Sequence, residues 1–241
     1  MILTEGGVFI DKVYFLHGFM GTGQTHFAKQ LSAFKDMNVE AVDLPGHGYS
    51  TEKADKEYFK HALQWVISYI KERGEGYIIG LSLGASLAVH TALRSPESVK
   101  GIVLTGYSPE IPEEMTGAME QQYHYFRNIE DRDDELVRHF KDLHGDKWKD
   151  TLEKVLYSMT YIYPSLSADE IRSIAVPALV LNGSEELHEA EAAANMKRQN
   201  THIEVGLIPN AGHTANIDQP DIYNRLVREF IGRVHRERTN I

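Results

Sequence analysis

The sequence predicts an α/β fold: a mostly parallel sheet with helices on both faces, interrupted once by a helical insertion. Along most of the chain, short apolar runs alternate with amphipathic segments at helical spacing, which is typical of a parallel sheet. The runs are continuously apolar, as expected for strands that are buried on both faces. Residues 107–173 contain no such run, and this gap predicts the insertion.

The predicted elements follow one another in chain order. A short edge hairpin is expected first, over 2–4 and 8–10. Buried strands are expected at 13–16, 39–42, 77–81, 99–104, 176–181 and 203–208. Helices of the sheet domain are expected at 24–35, 55–71, 188–198 and 220–234.

The insertion is charged and aromatic, and three helical stretches are predicted within it, at 115–126, 133–143 and 148–161. We expect it to form a cap over the carboxyl edge of the sheet. The core domain would then comprise 1–106 and 174–241, and the cap 107–173. Most apolar side chains of the cap should pack the cap itself, and a few should line a pocket at the sheet edge.

Composition limits the classes of partner. The net charge is −10 and no compact Lys/Arg block is present, which argues against nucleic acid or an anionic membrane surface. The chain has no cysteine, so disulfides and thiolate metal sites are excluded. No apolar run approaches the ~20 residues of a membrane span, and no signal peptide is visible. We therefore expect a cytoplasmic protein without membrane insertion, acting on a small-molecule substrate.

The stretch Gly80-Leu81-Ser82-Leu83-Gly84 lies between an apolar strand and a helix of small residues. So sharp a turn strains its central residue, and the positions two residues away must lack a bulky Cβ. The serine hydroxyl is lifted clear of the sheet, and the N–H groups at the helix start face whatever it attacks. The pattern predicts Ser82 as a nucleophile; a strand-to-helix turn with an idle serine is the alternative.

A serine hydroxyl needs an oriented base. His213 is the candidate because its Ala-Gly-His loop follows a predicted strand and so lies at the same sheet edge. The orienting acid should lie on another loop at that edge. The strand over 176–181 runs into a loop that ends in Glu185 and Glu186, and either could serve. Both could instead be solvated, or lie at the start of the next helix, where a carboxylate interacts favourably with the helix dipole.

Together these motifs resemble the α/β-hydrolase fold family, with nucleophile, acid and histidine in that chain order. The resemblance covers residues 13–235, and the insertion takes the place of the family's cap. The matching stretches are H-G-F at 17–19, D-L-P-G-H-G-Y-S at 43–50, G-L-S-L-G at 80–84, L-V-L-N-G-S-E-E at 179–186 and A-G-H at 211–213.

The resemblance implies Ser82 as nucleophile, His213 as general base and the backbone N–H groups of Phe19 and Leu83 as the oxyanion hole. Such donors stabilise charge that develops only in the transition state. His17 and the loop at 43–50 are expected to be structural rather than catalytic.

The acid commonly stands three positions after the glycine of the strand-end loop in this family, which here is Glu186. Aspartate is the usual residue there, so the sequence departs from the commonest pattern. Glu185 remains an alternative. So does Glu110, which follows the 99–104 strand, where some family members carry the acid.

These roles imply a serine hydrolase that forms an acyl-enzyme. The aromatic and methionine-bearing cap favours a carboxylic ester or thioester with a small to medium apolar acyl group, and no cofactor is expected. Family members with the same triad also hydrolyse lactones, amides or C–C bonds. A ligand-binding or signalling module with negligible turnover is the alternative from a different class.

Two competing motifs are incomplete. Residues 18–25 nearly match a phosphate-binding P-loop, but Gln24 stands where the lysine that contacts the phosphates is needed. The segment His188-Glu189-Ala190-Glu191-Ala192 lacks the second histidine of an H-E-x-x-H zinc site. The sequence therefore predicts neither a nucleotide site nor a metal site.

Overall fold

The computed structural model describes residues 11–239. Within them six parallel strands form one sheet in the order β2-β1-β3-β4-β5-β6. The strands are β1 (Lys12–Leu16), β2 (Asn38–Val42), β3 (Gly76–Leu81), β4 (Val99–Thr105), β5 (Ala178–Gly183) and β6 (Glu204–Ile208). The predicted α/β class with a parallel sheet is confirmed. The predicted hairpin over 2–4 and 8–10 lies outside the described residues.

The helices connect these strands, and several of them cover the sheet. They are α1 (Gly23–Ala33), α2 (Tyr58–Arg73), α3 (Leu83–Arg94), α4 (Thr116–Arg127), α5 (Asp134–His144), α6 (Trp148–Tyr161), α7 (Ala168–Ser173), α8 (Leu187–Gln199), α9 (Ala215–Asp218) and α10 (Pro220–Thr239). The short helices α7 and α9 were not predicted, because one or two turns carry too little periodicity to be recognised. No helix within 11–239 combines the length and the apolar character needed to cross a bilayer.

Side chains of β1 alternate between the two faces of the sheet. Val13 and Phe15 pack with buried residues of α1 and α10. Tyr14 and Leu16 pack on the opposite face with buried residues of α2, α3 and α8. Both faces are therefore covered by helices, which explains why the strands read as continuous apolar runs.

Helices α4 to α7 lie between β4 and β5, and no strand interrupts them in this described stretch. Apolar side chains of α5 and α6 form a small core of their own, and Met20 from the loop after β1 packs into it. This core joins the insertion to the carboxyl end of β1. We propose that 107–173 acts as a cap over a core formed by 1–106 and 174–241.

Candidate active site

Ser82 occupies the turn between β3 and α3 in a left-handed conformation, with φ 54° and ψ −113°. A Cβ on Gly80 would lie 2.3 Å from the carbonyl oxygen of Gly84. A Cβ on Gly84 would lie 1.9 Å from the carbonyl oxygen of Leu16. The backbone passes too closely at both positions for any other residue, so this turn depends on its two glycines.

His213 lies in the loop between β6 and α9, with its ring against the end of β4. A Cβ on Gly106 would lie 3.0 Å from both Cε1 and Nδ1 of the ring. Nδ1 lies 2.5 Å from Oε1 of Glu189. A carboxylate only accepts hydrogen bonds, so Nδ1 carries the proton and Nε2 is left with its lone pair. This is the tautomer that can accept a proton from a nucleophile.

The carboxylate bonded to His213 is that of Glu189, whereas the family pattern led us to expect Glu186. Helix α8 begins at Leu187, one residue after Glu186. The first helical turn therefore directs Glu189 inward, on the same buried face as Ala193 and Met196, and Glu189 is only 2% exposed. Glu186 stays on the cavity wall, with its side chain 41% exposed.

Asn182, buried at the end of β5, fixes this turn of α8. Its Nδ2 donates to the carbonyl oxygen of Glu189 and to that of Tyr107, at 3.0 Å in each case. The other two candidate acids lie elsewhere: Glu185 and Glu110 are exposed and do not line the cavity that contains Ser82. Thus β4, β5 and α8 together position Glu189 against His213.

Opposing effects act on the pKa of His213. Burial of the ring lowers it, whereas the hydrogen bond and the charge of Glu189 raise it, with smaller contributions from Glu186 and Asp218. The balance leaves the pKa above its usual 6.5. His213 is therefore a stronger base than an unperturbed histidine side chain.

The loop after β1 is held by two histidines. The N–H of Gly18 donates to Nδ1 of His26 at 3.1 Å. His17 is buried; its Nε2 accepts from the N–H of Leu44 at 3.0 Å and its Nδ1 contacts the carbonyl oxygen of Gly18 at 2.8 Å. Both ring nitrogens of His17 are thus engaged by backbone, which leaves no free lone pair for proton transfer.

His144, at the end of α5, ties the insertion to two core loops. Its Nδ1 accepts from the N–H of Gly48 at 3.0 Å, and its Nε2 donates to the carbonyl oxygen of Met20 at 3.1 Å. Met20 directly follows Phe19 and has a left-handed φ of 48°. A contact from the insertion therefore fixes a strained residue next to the predicted oxyanion donor.

A cavity of about 550 Å³ opens over the turn that holds Ser82. Ser82, His213, Phe19 and Leu83 all line it. Leu83 is the first residue of α3, so its N–H has no partner within the helix. The insertion contributes apolar side chains to the lining, namely those of Met115, Met119, Leu156 and Met159. A second cavity of about 330 Å³, along α4 and α6, contains none of the predicted catalytic residues.

Comparison with known proteins identifies relatives of this chain. The model of the alpha/beta hydrolase family matches residues 13–226. The solved structure of NosK from Streptomyces actuosus is 32% identical, with a TM-score of 0.86, over 94% of this chain and 99% of NosK.

Two curated relatives differ in how much of their own length is matched. The pimeloyl-[acyl-carrier protein] methyl ester esterase of Nitrosospira multiformis is 27% identical over 86% of this chain and 89% of the esterase. The chloroplastic protein PHYLLO of Arabidopsis thaliana is 24% identical over 98% of this chain, but the chain spans only 16% of PHYLLO.

Proposed function

The chain belongs to the alpha/beta hydrolase family, and we propose that it is a serine hydrolase that cleaves a carboxylic ester or thioester through an acyl-enzyme. One observation carries the proposal. Ser82, strained at φ 54°, lines the same cavity as His213, whose Nδ1 lies 2.5 Å from the buried Glu189. A serine in a shared cavity with a histidine that is paired to a buried acid supports the roles of nucleophile, base and orienting acid for these three residues.

In this mechanism Oγ of Ser82 attacks the substrate carbonyl carbon and its proton passes to Nε2 of His213. Glu189 holds the ring in the tautomer that exposes Nε2 and stabilises the imidazolium that forms. The negative oxygen of the tetrahedral intermediate accepts hydrogen bonds from the N–H groups of Leu83 and Phe19. His213 then protonates the leaving group, and water, activated by the same ring, releases the acid from Ser82.

The lining of the cavity supports an apolar acyl group of small to medium size. The cap wall carries methionine and leucine side chains, which adapt their shape to an apolar ligand. The volume of about 550 Å³ lies in the ordinary range for small-molecule sites. The methyl ester esterase named among the relatives supports an ester as the substrate.

Labelling with an active-site fluorophosphonate tests the nucleophile. Wild type, S82A and S108A are compared by intact mass; Ser108 is the matched control because it is the other serine among the described residues that line the cavity. We expect one adduct on wild type and S108A and none on S82A. A series of p-nitrophenyl esters of rising chain length then defines the acyl group.

An adduct on S82A would remove Ser82 as the nucleophile. If neither wild type nor S82A is labelled, the serine is not activated, and a ligand-binding module with negligible turnover becomes the better interpretation.

A further inference from the structure

Glu186 lies on the cavity wall beside the catalytic histidine, and the mechanism above does not use it. We propose that Glu186 selects substrates by charge: it favours esters whose leaving group carries a cation and disfavours those whose leaving group carries an anion, a selection that rests on the esterase function proposed above.

The position of Glu186 assigns it to the leaving-group side. A Cβ on Gly212, the residue before His213, would lie 3.8 Å from Oε1 of Glu186. During acylation His213 hands its proton to the leaving-group oxygen, so that group must lie next to the histidine loop. The carboxylate of Glu186 therefore faces the leaving group rather than the acyl chain.

The carboxylate is available for a ligand. Glu186 occupies the N-cap position of α8 but makes no side-chain capping hydrogen bond there. Its Oε2 lies 3.8 Å from Nδ1 of His188, which is longer than a hydrogen bond and forms an ion pair only when that ring is protonated. With 41% of its side chain exposed, it is hydrated and can exchange water for a cationic group at small desolvation cost.

The rest of the cavity does not cancel this charge. Among the described residues that line it, Glu186 and Glu189 are the carboxylates, no lysine or arginine is present, and the histidines are His26, His188 and His213. Glu189 already shares its charge with His213 through a 2.5 Å contact. A leaving-group charge near Glu186 therefore meets a negative field, and the net charge of −10 on the chain has the same sign.

Glu186 also acts on the base, because its charge contributes to raising the pKa of His213. That effect changes the rates of all substrates by the same factor. A ratio of rates between substrates of different charge cancels it. The intrinsic reactivities of the esters also enter that ratio, but they are the same for wild type and E186Q, so the change in the ratio between the two proteins reports the direct interaction with the leaving group.

Three butyryl esters provide that ratio: those of choline, 3,3-dimethylbutanol and isethionate. They share the acyl group, the two-carbon spacer and a tetrahedral head group, and their charges are positive, zero and negative. We measure kcat/KM by pH-stat at about 0.15 M ionic strength, where distant charges are screened. S82A supplies the background rate.

For wild type we expect kcat/KM to be highest for the choline ester, lower for the dimethylbutyl ester and lowest for the isethionate ester. The first and the last should differ by about tenfold, which is the size of a unit-charge interaction at partly solvated distances. In E186Q the three rates should come within about threefold of each other. E185Q is the matched control: Glu185 is the neighbouring carboxylate, exposed and outside the cavity lining, so the wild-type order should persist.

Equal wild-type rates for the three esters, or an unchanged ratio in E186Q, would overturn the charge selection. The esterase function would stand in that case, provided that Ser82 hydrolyses the neutral ester. If wild type hydrolyses none of the three, both the charge selection and the esterase function are wrong for these substrates.

Discussion

Nδ1 of His213 lies 2.5 Å from Oε1 of Glu189, a carboxylate that is only 2% exposed. The glutamine of E189Q can turn its amide N–H toward Nδ1, which would force the proton onto Nε2 and block proton transfer from Ser82. We expect kcat/KM for p-nitrophenyl butyrate to fall by about 10³- to 10⁴-fold, as loss of the correct tautomer does in serine proteases.

E185Q serves as the control for this prediction, since Glu185 is exposed, and it should keep its rate within about threefold of wild type. Circular dichroism and thermal unfolding check that E189Q is folded. A folded E189Q with more than a tenth of wild-type activity would show that Glu189 does not orient the base.

In the proposed mechanism the raised pKa of His213 sets the acid limb of activity. The neutral ring accepts the serine proton, and a raised pKa means that the ring is still protonated above pH 6.5. Activity should therefore be half-maximal at a pH above 6.5 and fall further as the pH falls. In E186Q the midpoint should move to lower pH, because a negative charge that favours the imidazolium has been removed.

The measurement is kcat/KM from pH 5 to pH 9 at constant ionic strength, for wild type and E186Q. A rate that is flat over this range would contradict the assignment of His213 as base, and a wild-type midpoint below 6.5 would show that Glu189 does not raise the pKa of the ring. A midpoint that does not move in E186Q would show that the charge of Glu186 does not reach the ring.

The sequence predicted the fold and the surroundings of Ser82 well because those features are local. The strand, the turn and the helix are continuous in the chain, and Gly80 and Gly84 mark the close backbone approaches. The location of His213 could also be predicted, since loops after parallel strands meet at one edge of the sheet.

The partner of His213 was missed because it depends on the residue at which α8 begins. The prediction started that helix at 188 and counted positions from Gly183, which points to Glu186. A signal was present: Glu189, Ala193 and Met196 follow the i, i+4, i+7 spacing of one helix face, and that face is buried. An acid in an apolar stripe needs a polar partner, and His213 is that partner.

The contact between His144 and Met20 could not be predicted from the sequence, because it joins residues that are 124 positions apart. We expect H144L to lower kcat by about 10- to 100-fold with a smaller change in KM, because Met20 and the neighbouring Phe19 N–H lose their fixed position. H144Q should recover most of the rate, since its amide can accept from Gly48 and donate to Met20.

His139 provides the matched control, because it lies on the same helix and is exposed. H139L should keep wild-type kinetics. Thermal unfolding separates an effect on catalysis from an effect on stability. In H144L the free energy of unfolding should also fall by about 1–3 kcal/mol, because the N–H of Gly48 and the carbonyl of Met20 lose their partner. Unchanged kcat in H144L would show that this contact stabilises the fold without positioning the oxyanion loop.

Gly84 tests how tightly the turn at Ser82 is constrained. In G84A the new Cβ would lie 1.9 Å from the carbonyl oxygen of Leu16, so β1 and α3 must separate. We expect a loss of about 3 kcal/mol or more in the free energy of unfolding, together with loss of fluorophosphonate labelling.

G117A is the control, because Gly117 lies exposed in α4, where a new Cβ would point into open space. Alanine there should stabilise the protein by up to about 1 kcal/mol. Urea unfolding of both variants gives the comparison, and a G84A protein as stable as G117A would mean that the turn tolerates a side chain at this position.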